Sequence, residues 1–141
     1  MTVKSDKVND NEIQEIYDYF SHDMAGMVPD SIRMLEKYNP GAMKGFYLLR
    51  KSTLREPPEG PLPKKYRELI IIAVEAALKK DPSGHARIAV ECGATPEEIH
   101  EAVAICLWLA GMPAYHEGMK AVKSAETHLA KLRSLSGESA T

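Results

Sequence analysis

The segment "RELIIIAVEAALKK", residues 67–80, constrains the fold more than any other stretch. Between Leu69 and Leu78 only Glu75 is charged, so apolar side chains point in almost every direction around a helix. At about 100° per residue, seven steps bring Glu75 to within about 20° of Glu68, giving one narrow acidic edge. A helix that is apolar nearly all round has to be surrounded. Its β-branched isoleucines lower helix propensity slightly, so packing must hold the segment helical. In a chain of 141 residues, the other helices of one subunit do not supply enough cover. The segment therefore predicts a homo-oligomer.

The rest of the chain shows helical spacing punctuated by Pro and Gly, with no useful strand alternation. Ile13, Ile16, Tyr17 and Phe20 predict an amphipathic helix from Glu12 to about Met24. Asp30 or Ser31 is expected to cap a short second helix carrying Ile32 and Leu35. Asn39-Pro40 reads as the cap and first-turn proline of a third, which runs through Met43, Phe46, Tyr47 and Arg50 towards Arg55. "REPPEGPLP" then breaks the chain with four prolines and a glycine. A fourth helix starts near Pro63 and runs to about Lys80. Asp81-Pro82 is expected to cap the next, which ends at a left-handed Gly93. Thr95, Pro96 and Glu98 form a capping box for a helix to about Gly111. Met112-Pro113 opens the last, with Tyr115, Met119, Val122, Ala125, Leu129 and Leu132 on one stripe. The tail "SLSGESAT" is expected to fray. These elements make an all-α bundle of six to seven helices. They form a single domain over 1–141, with an N-terminal helical arm at 10–56 and a helical core at 61–135.

Hydrophobic residues at 44% and charged residues at 27% are an ordinary globular balance. A net charge of -2 with no basic block argues against nucleic acid and anionic membranes as partners. The polar start "MTVKSDKVNDNEIQ" shows no secretory signal, and the apolar run Leu69–Val74 is too short to span a bilayer, so the expected location is cytoplasmic. Cys92 and Cys106 stand among apolar neighbours and make no CxxC, which favours buried thiols acting as small hydrophobes. No His, Cys or acidic spacing suggests a metal site, and no Gly-rich phosphate loop or GxSxG is present.

Three residues invite a chemical reading beside a structural one. Glu75 has Lys79 four residues on, and the plain reading is a helical ion pair or a rim position at a subunit contact. Glu68 is either a first-turn carboxylate favoured by the helix dipole or a functional one. His85 precedes Ile88, Ala89 and Cys92 at i+3, i+4 and i+7, which puts it on the buried stripe. There it is a hydrogen-bonded core residue or a neutral imidazole able to accept a proton. A tight turn would pack its helix antiparallel to the preceding one, with the acidic edge near the imidazole.

"RELIIIAV" at 67–74, "HARIAVECGATPEEIHEAV" at 85–103 and "AGMPAYHEGMKAV" at 110–122 resemble the carboxymuconolactone decarboxylase family, which includes the alkyl hydroperoxide reductase D-like proteins. The likeness runs from about Pro61 to Val122, and "GMVPDSIRMLEKYNPGAMKGFYLLR" suits the family's N-terminal arm. The resemblance implies an all-helical fold assembled as trimers or hexamers. In the family's redox branch a CxxC lies just upstream of a histidine, and a glutamate on the preceding helix completes a proton relay. Glu68 and His85 match that glutamate and histidine. The positions four and seven before His85 are Asp81 and Leu78, and no thiol lies between Glu68 and His85. Thiol peroxidase or reductase chemistry through that motif is excluded because its nucleophile is missing.

What remains resembles the decarboxylase branch, which removes carbon dioxide from a small carboxylated lactone in aromatic compound degradation. That chemistry implies no cofactor and no metal. By this resemblance His85 transfers a proton, Glu68 orients it, and His116 is a third catalytic candidate. Arg87 and Tyr115 are the candidate substrate-binding residues, and Arg50 is another side chain able to hold a carboxylate. A non-catalytic or ligand-binding relative of the same fold is the alternative, and a thiol-based protein using Cys92 or Cys106 ranks last.

Overall fold

A computed structural model describes residues 8–137, and among them seven α-helices and no strand form. The all-α expectation holds. The chain divides into two compact units between Arg55 and Glu56.

The first unit contains α1 (Asp10–Asp23), α2 (Asp30–Tyr38) and α3 (Pro40–Thr53). Helix α1 begins two residues before the expected Glu12, because Glu12 is the third helical residue of a capping box. The Asn9 side chain accepts from Glu12 N, and the Glu12 carboxylate accepts from Asn9 N. Helix α2 departs from expectation at its start. Pro29 holds the capping position without a side-chain bond, and Asp30 is already helical. Helix α3 starts as expected, with Asn39 accepting from Ala42 N at 3.0 Å and Pro40 in the first turn. Ile16, Phe20, Ile32, Met43 and Tyr47 fill this unit's core. Arg50 lies against Phe20 and Phe46 and binds buried Asp23 at 2.5 Å, so its guanidinium is engaged inside the unit.

The second unit contains α4 (Lys64–Ala77), α5 (Ser83–Glu91), α6 (Pro96–Ala110) and α7 (Met112–Ser136). Ile72, Ala86, Ala89, Ile99, Val103, Ala121 and Ala125 form its centre. The many alanines let helix axes approach closely, and α6 and α7 come into close contact at Gly118. A Cβ there would stand 2.2 Å from Val103 Cγ1. The capping box predicted for α6 is present, with Thr95 and Glu98 exchanging both bonds. Helix α5 starts one residue later than expected. Pro82 takes the capping position, while Asp81 Oδ1 accepts from Ser83 N at 2.9 Å. Gly93, at φ 88°, closes α5 in the left-handed conformation the sequence predicts. The expected fraying fails for Ser134–Ser136, which continue α7; positions 138–141 of that tail lie outside the described residues.

Helix α4 is shorter than expected and inverted in character. It stops at Ala77 because Lys79 adopts φ 57°. Lys79 N then donates to Ala76 O and Lys80 N to Glu75 O, the Schellman pattern that usually uses glycine. Lys79 has therefore left the helix, and the expected Glu75–Lys79 ion pair does not form. Ile72 and Ala76 are buried, yet so is Glu68, at 1% exposure. On the other side Ile70 and Val74 are each 51% exposed and Leu78 is 61% exposed. The charged edge faces inward and an isoleucine–valine–leucine stripe faces out.

Candidate active site

The inward edge of α4 meets α5. Glu68 Oε2 lies 2.7 Å from His85 Nδ1, and the imidazole is 16% exposed. A carboxylate only accepts, so Nδ1–H donates to it, and in the neutral imidazole Nε2 is then the nitrogen that carries the lone pair. That lone pair faces Glu75, whose Oε1 is 4.0 Å away. The imidazole thus stands between two carboxylates one helical heptad apart.

The other oxygen of Glu68 is held as well. Arg67 Nη2 and Nε reach Glu68 Oε1 at 3.1 and 3.3 Å. Arg67 is itself buried, and its Nη1 lies 3.7 Å from Glu56 Oε1, which is the same distance from Lys64 Nζ. Charges therefore alternate from Lys64 through Glu56, Arg67 and Glu68 to the imidazole. Such alternation is how several ionic side chains coexist at low exposure. Glu75 stands apart from this order. Its Oε2 is buried with no hydrogen-bond partner among the described residues. Burial raises the Glu75 carboxyl above its ordinary range, against the opposing effects of His85 and Lys80.

The remaining sequence candidates are elsewhere. Tyr115 donates or accepts across 3.0 Å to His100 Nε2, ring edge to ring face, on the α6–α7 side. His116 is exposed at the start of α7. Arg87 lines a groove of about 500 Å³ with Ser83, Lys120, Lys123 and His128, and His85 is not part of that lining. Two further grooves, of about 290 and 660 Å³, lie along α6 and α7. None of the three is lined by Glu68, Glu75 or His85. No group of three His, Cys, Asp or Glu side chains among the described residues is placed to hold a metal ion. Burial pushes both thiols up, Cys92 and Cys106 alike, which leaves neither poised as a thiolate. The sequence reading missed Arg67 and Glu56 as supports of Glu68. Arg67 adjoins Glu68 in the chain, but adjacent residues rarely share a helix face, so spacing did not signal the contact.

Residues 40–124 match the family model for carboxymuconolactone decarboxylases. The chain belongs to the carboxymuconolactone decarboxylase family. Within that family it carries no CxxC, since its two cysteines stand fourteen positions apart. It is also similar, at 26% identity and a TM-score of 0.77, to a solved structure from Burkholderia xenovorans LB400 provisionally assigned as a carboxymuconolactone decarboxylase. The match covers 94% of this chain and all of that one. A search among curated proteins gave no significant match.

Proposed function

We propose that the protein is a carboxy-lyase of the carboxymuconolactone decarboxylase type, acting on a small carboxylated lactone or a related acid. The observation that carries this reading is the Glu68–His85 pair: a nearly solvent-free carboxylate fixing one imidazole nitrogen and leaving the other to exchange a proton. In the reaction the substrate's C–CO₂⁻ bond breaks and its electron pair passes into the conjugated ring system. Carbon dioxide leaves, and a carbon of that conjugated system takes a proton delivered by His85 Nε2 once the imidazole has been protonated there. Glu68 holds the tautomer and orientation, and Arg67 holds Glu68.

The working form is a homo-oligomer, a trimer or hexamer. Supporting it are the exposed stripe Ile70, Val74 and Leu78 on α4 and the exposed Ile105, Trp108, Leu109 and Met112 around the end of α6. Such apolar surface marks a protein contact. A second copy laid over α4 would also shield the edge of the site. Two unpaired cysteines suit the reducing cytoplasm.

The test is turnover of 4-carboxymuconolactone and related lactone acids by the wild type and His85→Ala. Loss of at least about a hundredfold in kcat with assembly intact is expected. Full activity in His85→Ala would overturn the site. A ligand-binding relative of the same fold is the second reading, favoured by the grooves that lie apart from His85. It predicts binding without turnover.

A further inference from the structure

We propose that Glu75 is the proton relay of this site, a residue that acts through His85 by restoring the proton His85 Nε2 gives up. The proposal rests on the decarboxylase reading for the reaction and on geometry for the relay. His85 is gripped on one side only. Nδ1 is bonded to Glu68, while Nε2 has Glu75 Oε1 at 4.0 Å as its carboxylate neighbour. Rotation of the Glu75 side chain, or one intervening water, closes that gap to hydrogen-bond reach. Catalytic hydrogen bonds are often long before substrate binds.

Glu75 is also the right group to bring protons in. Its side chain is 26% exposed, against 16% for His85 and 1% for Glu68, so it is the most solvent-connected of the three. Its other oxygen is buried without a partner among the described residues. A purely structural carboxylate would be expected to satisfy both oxygens. An unpaired, half-desolvated oxygen favours the protonated form, and burial does raise this carboxyl. The charged groups that act on it are His85 from α5, Lys80 and Asp81 from the connecting turn, and Glu68 on its own helix.

The cycle balances as follows. The Glu75 O–H bond breaks and its proton passes to Nε2, leaving a carboxylate and an imidazolium flanked by Glu68 and Glu75. The imidazolium N–H delivers that proton to the substrate carbon as carbon dioxide departs, and the electron pair returns to Nε2. Glu75 then takes up a proton from solvent water, leaving hydroxide, so each turnover consumes one solvent proton. The only co-reactant is solvent, and no redox change occurs.

The experiment follows the His85 ring nitrogens by ¹⁵N NMR across pH in the full-length assembled protein, for wild type, Glu75→Gln, Glu75→Asp and Lys80→Gln. The wild-type signal is expected to show an extra step above the ordinary glutamate range, reporting Glu75. Glu75→Gln should remove it, Glu75→Asp should keep it, and Lys80→Gln should keep it but move it upward, since Lys80 opposes the rise. In kinetics Glu75→Gln should lose about tenfold or more in kcat with little change in KM, with part of the loss recovered in Glu75→Asp. A His85 titration identical in wild type and Glu75→Gln overturns the relay. So does an unchanged kcat. If the wild type fails to turn over any lactone acid, the reaction assigned above falls, and the NMR comparison alone decides the role of Glu75.

Discussion

The residue with the sharpest consequence is Glu75, because it is partly buried and one of its carboxylate oxygens is enclosed without a partner among the described residues. Its carboxyl is raised by burial, so the folded protein holds that proton at pH values where the unfolded chain has lost it. Folding stability from this group is therefore fully present below the ordinary glutamate range. It declines as pH rises through the raised value. Glu75→Gln removes the penalty, and the variant should be more stable than wild type at neutral pH. The advantage should vanish below about pH 4, near the ordinary carboxylate range. Denaturant midpoints of both proteins across pH 3–8 would check the sign. Equal midpoints at neutral pH would contradict it. A residue that lowers stability where an uncharged isostere would not is usually kept for chemistry.

At the scale of elements, two local features make opposite predictions. Lys79 occupies a left-handed position that glycine fills at lower cost, at the end of α4. Lys79→Gly should raise stability by about 1 kcal/mol, read as a shift in denaturant midpoint at constant slope. Gly118 is the reverse case. Its α-hydrogen faces Val103 with no space for a methyl group. Gly118→Ala gains helix propensity of about 1 kcal/mol, but the overlap with a buried valine costs more, about 1–3 kcal/mol or above. A net loss is expected, relieved in Gly118→Ala with Val103→Ala, and melting of the single and double variants separates the two terms. These cases also show which boundaries were legible in the sequence. The starts of α3 and α6 could be read because Asn39-Pro40 and Thr95-Pro96-Glu98 are complete local caps. The end of α4 could not, because a lysine sits where glycine normally signals the stop.

For the whole molecule, the prediction concerns assembly. The α4 stripe and the end of α6 expose large apolar side chains, with Trp108 at 83%. Sedimentation should find three or six times the 15.6 kDa chain mass. Ile70→Glu with Val74→Glu should return a single chain, because two carboxylates per copy cannot be buried unpaired in that contact. Trp108 emission should shift to the red if the same contact covers it. A monomeric wild type would overturn the assembly and remove the cover proposed for the edge of the site.

The sequence by itself determined the helical class, most helix starts and the heptad that aligns Glu68 with Glu75. Those depend on local backbone chemistry and on periodicity, which any short window of residues carries. The likeness in residues 67–122 also pointed to the family and to Glu68 and His85. Only the tertiary structure decided which face of α4 turns inward. A wheel apolar on almost all sides has no preferred inner face, and the partners that favour the acidic one, Arg67, Glu56 and His85, are set by side-chain directions and by packing against α5. The same limit governed the other candidates. Arg87 is two residues from His85 in the chain, but that is about 200° around α5. Proximity in sequence therefore carried it to the opposite groove, whereas Glu75, ten residues before His85, came to face its free nitrogen.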